Sequence, residues 1–137
     1  MEDMNEMMKS MAETACEVAK DSGFELDFSE QSLLHVEELL DAFHQKVPKG
    51  IKKLFSKGLS NEEMDMLCLV FGAYLGEVVI KNLGGKWQPS ERLASVFLDN
   101  GTEIYPAQKV YKRLMNGRED EIWAYYKFLQ SHIQENG

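Results

Sequence analysis

Apolar residues first recur at three- and four-residue intervals in Met4, Met7, Met8, Met11, Ala15 and Val18, which predicts an amphipathic helix stopped at Gly23. Phe24 to Phe28 alternates apolar and acidic residues and reads as a short extended piece. Ser29 or Ser32 can cap the next helix, whose inner side carries Leu33, Val36, Leu40 and Phe43, with Leu39 beside them. Pro48 and Gly50 break the chain, and Ile51 to Lys57 fits one short turn of helix with its lysines outward. The strongest local signal follows. Ser60 and Glu63 form a capping box, in which each side chain satisfies the other's backbone N–H. The helix behind it runs to about Leu83 and is apolar almost all round between Met66 and Ile80. A helix of that kind is buried on most sides, so it is expected to be the central element.

Gly84-Gly85 ends the central helix. Lys86 to Gln88 begins an extended stretch bounded by Pro89, and Leu93 to Leu98 reads as a strand. Asp99-Asn100-Gly101 is a hairpin turn, because Asn and Gly tolerate positive φ, and Thr102 to Tyr105 returns. Pro106 opens a helix at a position where its missing N–H costs nothing. Val110, Tyr111 and Leu114 follow at helical spacing, and Gly117 closes that helix. Ile122, Trp123, Tyr126, Leu129 and Ile133 line a last one. The strands lie too close together for crossover helices. The expected class is therefore α+β: a central buried helix over 61–82, surrounding helices, and a small two- to three-stranded antiparallel sheet near 86–105. One domain spans 1–137, and the helix over 1–22 is the element whose docking the pattern fixes least.

Three stretches carry a resemblance: Leu26-Asp27-Phe28-Ser29-Glu30-Gln31-Ser32-Leu33, Gly72-Ala73-Tyr74-Leu75-Gly76-Glu77, and Leu83-Gly84-Gly85-Lys86-Trp87 followed by a hairpin into Tyr105-Pro106. Over about residues 24–117 the chain resembles a family of small uncharacterised bacterial domains. The resemblance implies a bacterial, cytoplasmic protein and brings no activity with it.

Charge alters the picture more than composition does. The formal net charge is −8, and residues 1–45 hold twelve acids against two bases, whereas 46–58 hold five lysines and no acid. Such a chain is repelled by nucleic acid and by anionic membranes, and a basic protein suits it better as a partner. No basic stretch opens the chain as in an export signal. The apolar run Met66 to Leu75 is short for a bilayer span and is followed by Glu77. Cys16 and Cys68 show no CxxC or Cys/His pairing and are expected as reduced thiols.

Gly72 and Gly76 stand one turn apart inside the central helix, where each costs about 1 kcal/mol relative to alanine. Close approach of another element offsets that cost more often than a ligand does. Glu77 is the single charge between Met66 and Ile80. It pairs with Lys81 on a solvated edge, or it meets Trp87 near the glycine turn. Tyr74, Glu77, Lys86 and Trp87 are thus the candidate ligand-binding residues, and no catalytic residue is assigned. Gly85-Lys86 is no phosphate loop, since Ile80 and Trp87 stand where Gly and Ser/Thr are needed. His35, His44 and His132 form no metal set, and solvated helix positions account for them. Asp41 and His44 have half of a di-iron spacing without the second half. Cys68 reads as a core hydrophobe. No metal and no cofactor is expected. The Met-rich first helix is either core filler or the seam of a homodimer. The leading expectation is a non-enzymatic acidic interaction module. The alternatives are an immunity- or inhibitor-type protein for a basic toxin, and a small-ligand binder or enzyme using Glu77 and Trp87.

Overall fold

A computed structural model describes residues 3–47, 58–91 and 93–136. The short helical turn expected over 51–57, with its lysines, lies outside these residues. The elements are α1 (Met4–Asp21), α2 (Ser32–His44), α3 (Asn61–Leu83), β1 (Lys86–Ser90), β2 (Leu93–Phe97), β3 (Glu103–Ile104), α4 (Pro106–Asn116), a 3-10 turn (Gly117–Asp120) and α5 (Ile122–Asn136). The fold is α+β, with a three-stranded antiparallel sheet in the order β1-β2-β3.

Both halves of the Ser60–Glu63 capping box form, each at 3.1 Å, and start α3. Its residues from Val70 to Val79 are buried except Glu77. By length and apolarity the whole helix would also pass as a membrane span, a test that the run Met66–Leu75 alone does not meet. In this fold its apolar surface is consumed by α1, α4 and the sheet. α1 packs along α3 through small residues: Ala12, Ala15 and Ala19 are fully buried, Met8 is in the core, and Met4 and Met11 pack against it. The face considered as a dimer seam therefore meets the protein's own core.

The two glycines of α3 each receive a neighbour. A Cβ on Gly72 would lie 2.7 Å from the Ala107 Cα at the head of α4, and one on Gly76 would lie 2.1 Å from Cη2 of Trp87. Gly72 thus admits backbone and Gly76 admits an indole, which is the physical return for two poor helix formers. Trp87 pairs with Val96, and Val96 with Ile104, so all three point from the sheet into the core. β1 continues through Pro89, beyond the boundary expected there. It is an edge strand, where a missing N–H is tolerated.

The stretch Phe24 to Phe28, read as a short extended piece, joins no sheet. The Phe24 N–H bonds back to the Ala19 carbonyl, closing α1, and Phe28 turns left-handed with φ 65°. At α4, Tyr111 points outward at 47% exposure while Arg113 turns inward at 0%.

Candidate functional site

Of the four residues expected to bind a ligand, Tyr74 stands apart. It is fully buried, its hydroxyl accepts the Phe28 N–H at 2.8 Å, and it shares a 2.6 Å hydrogen bond with Ser32 Oγ. Burial holds its phenol up at about 12. With Asn82 donating to the Phe28 carbonyl at 3.2 Å, Tyr74 fixes both backbone groups of the left-handed residue that leads into α2. Tyr74 is a structural pin and faces no surface.

Glu77, Lys86 and Trp87 do come together. They line an open groove of about 400 Å³ with Glu6 and Lys9 of α1. The Trp87 indole N–H donates to Glu77 Oε2 at 2.9 Å, so the carboxylate serves Trp87 and makes no ion pair with Lys81. The hydrogen bond orients the ring that fills the recess above Gly76. Two acids and two lysines share this groove, which leaves it without a charge preference.

A larger polar cluster escaped sequence reasoning. Arg113 Nε donates to Glu37 Oε1 at 3.0 Å, and Nη2 donates to Asp41 Oδ1 at 3.2 Å and to the Glu37 carbonyl at 3.4 Å. The second Glu37 oxygen accepts the Trp123 N–H at 3.2 Å in the first turn of α5, where negative charge suits the helix dipole. Arg118 reaches the other Asp41 oxygen at 3.7 Å. Asp41 is therefore committed to two arginines. His44 is half-buried rather than solvated, with Nδ1 against the Leu114 carbonyl and its ring over Gly117. Among the described residues no group of three His, Cys, Asp or Glu side chains is placed to hold a metal ion. The signal for the cluster was present as charges at core spacing: Glu37 falls between Leu33 and Leu40, and Arg113 follows Val110 by three.

The third recess is a cleft of about 410 Å³ between α3, the β1–β2 hairpin and the start of α4. Its floor holds Cys68, Leu69, Ala94 and Ala107, and its rim holds Asp65, Tyr105 and Tyr111. The Tyr105 hydroxyl donates to Glu103 Oε1 at 2.9 Å, and Ser95 Oγ donates to Glu103 Oε2 at 2.6 Å. Burial, with Asp65 adding repulsion, pushes the Cys68 thiol up to about 12. A raised acid favours the neutral thiol in the folded state. Its stabilisation is fully present below pH 9, the ordinary value, and is lost as pH rises toward 12. Native protein at neutral pH is therefore expected to resist iodoacetamide at Cys68, and urea-unfolded protein to react at the rate of a free thiol. Equal rates in the two states, followed by mass spectrometry, would show that the thiol is not shielded.

Family models, curated proteins and solved structures give no match to this chain.

Proposed function

We propose that this chain is a non-enzymatic interaction module that seats a cationic protein partner on the outer face of α1. The observation that carries this reading is how the twelve acids of residues 1–45 are divided. Glu37 and Asp41 are taken inward by Arg113, and Glu30 is bound by Tyr126 and Gln130. Glu6, Glu13, Glu17 and Asp21 instead occupy one exposed stripe of α1, and Glu25 and Asp27 extend it into the next loop. None of these six forms a salt bridge with a described residue.

Glu13, Glu17 and Asp21 are successive i, i+4 neighbours of like charge. Each such pair weakens a helix by a few tenths of a kcal/mol, roughly 0.2–0.5. Lys9 and Lys20 stand within a turn of Glu13 and Glu17 but close no ion pair with them, and a cationic partner would add counter-charge to the stripe. The spacing lies inside the Debye length of about 10 Å at 0.1 M salt, so the carboxylates act as one field that steers a partner in.

The test uses an Arg/Lys-rich peptide and titration calorimetry. The triple variant Glu13→Lys/Glu17→Lys/Asp21→Lys is compared with Glu38→Lys/Glu62→Lys/Glu119→Lys, which changes net charge equally away from the stripe. The stripe variant is expected to lose affinity about tenfold or more, or 1.4 kcal/mol, and the control far less. Wild-type binding should weaken as salt is raised. Equal losses in both variants, or indifference to salt, would mean that net charge or some other face does the binding.

A further inference from the structure

We propose that the cleft between α3, the β1–β2 hairpin and α4 is a binding site for a small organic cation, an ammonium or guanidinium group carried on an apolar body. Its volume of about 410 Å³ falls inside the range of small-molecule sites, roughly 300–1,000 Å³. The floor of Cys68, Leu69, Ala94 and Ala107 is apolar and made mostly of small side chains. Above it, Tyr105 and Tyr111 keep 45% and 47% of their surface exposed, which leaves ring area available to an occupant.

The polar groups decide the sign of the ligand. Asp65 is the single charged residue among the described residues lining the cleft. The Tyr105 hydroxyl already donates its hydrogen bond to Glu103, so its oxygen is left as an acceptor. Ser90 lines the same cleft, but its Oγ is buried away from the open space and gives an occupant no hydrogen bond. An acceptor and two aromatic rings around one carboxylate suit a cation, which gains from the ring faces as well as from Asp65. A carboxylate ligand would meet Asp65 at like charge. A pure hydrocarbon would leave Asp65 without a counter-charge. No residue of α1 lines this cleft, so the proposal stands or falls apart from the acidic stripe.

The experiment is an NMR amide titration with three probes of one shape: phenylbutylamine, phenylbutanol and phenylbutyrate. The amine is expected to shift the amides of Cys68, Ala94 and Ala107 saturably, and to bind about tenfold more tightly than the alcohol. Asp65→Asn, at an exposed position, should erase that advantage and leave alcohol binding unchanged. Tyr111→Ala should weaken amine and alcohol alike. Three results would each overturn the proposal: the three probes binding equally, amine-induced shifts centred on α1, or no saturation by the amine below about 10 mM.

Discussion

Replacing Arg113 with methionine is expected to destabilise the fold by about 3–5 kcal/mol, because it leaves a carboxylate inside the protein with no cation beside it. Arg113 is 0% exposed, and the Glu37 side chain it faces is 7% exposed. The wild-type cluster is not thereby a strong net stabiliser. Desolvating both ions costs several kcal/mol, which their attraction roughly offsets, and Nη1 of Arg113 makes no hydrogen bond to a described residue. The asymmetry is what matters: removing one partner keeps the desolvation cost and loses the attraction. It also removes the hydrogen bonds by which the guanidinium of α4 holds Glu37, its carbonyl and Asp41 of α2. Arg113→Lys keeps the charge but not the fork, so it should fall between wild type and Arg113→Met. Adding Glu37→Leu to Arg113→Met should recover part of the loss, giving a coupling of 0.5 kcal/mol or more at this distance, on the order of other contacting pairs. Urea unfolding of these four proteins and of Glu37→Leu alone, which closes the cycle, measures all of this. An Arg113→Met protein within about 0.5 kcal/mol of wild type, the range of ordinary surface changes, would show that the cluster contributes no structural charge pair.

How legible the molecule was in its sequence depended on whether the signal was local. The Ser60–Glu63 box, the positive φ of Gly101, Pro106 at the head of α4 and the apolar girth of α3 are each decided within a few residues, and each can be read from them. Glu37 and Arg113 could not be read that way. A charge at a core position is stable only with a counter-charge seventy-six residues distant, and periodicity alone does not pair them. The β1–β2 turn was hidden for a different reason. It passes from Ser90 to Leu93 without glycine or asparagine, and a leucine takes the positive φ of 105°. Phe28 is left-handed on the same principle, held there by Tyr74 and Asn82 from a distant helix. Of the candidate quartet, Glu77 and Trp87 were readable as partners because the Gly84-Gly85 turn folds β1 back over α3. The tyrosine-rimmed cleft was not readable, since it exists only where the hairpin lands relative to α3 and α4.

Gly76→Ala is expected to destabilise the protein by about 2 kcal/mol or more, although alanine is the better helix former by about 1 kcal/mol. The two effects oppose each other, and the distances decide between them. The new Cβ would sit 2.1 Å from Cη2 and 2.3 Å from Cζ2 of Trp87, well inside contact distance. The ring has little freedom to retreat. It is 7% exposed, its N–H is tied to Glu77, and its backbone is paired with Val96 in the sheet. Relief must therefore come from moving β1 away from α3, which opens the core beneath Trp87. The companion change Gly72→Ala meets the backbone of Ala107 at 2.7 Å, so there α4 itself must shift. Trp87→Phe separates crowding from propensity. Phenylalanine lacks the outer atoms that reach Gly76, so Gly76→Ala in that background should cost much less, and alanine's helix preference should begin to show. Thermal unfolding of wild type, both single variants and the double variant gives the cycle. A Gly76→Ala protein that melts at or above the wild-type temperature would mean that β1 yields easily, and that the close seat of Trp87 on α3 is not what holds the sheet to the helix.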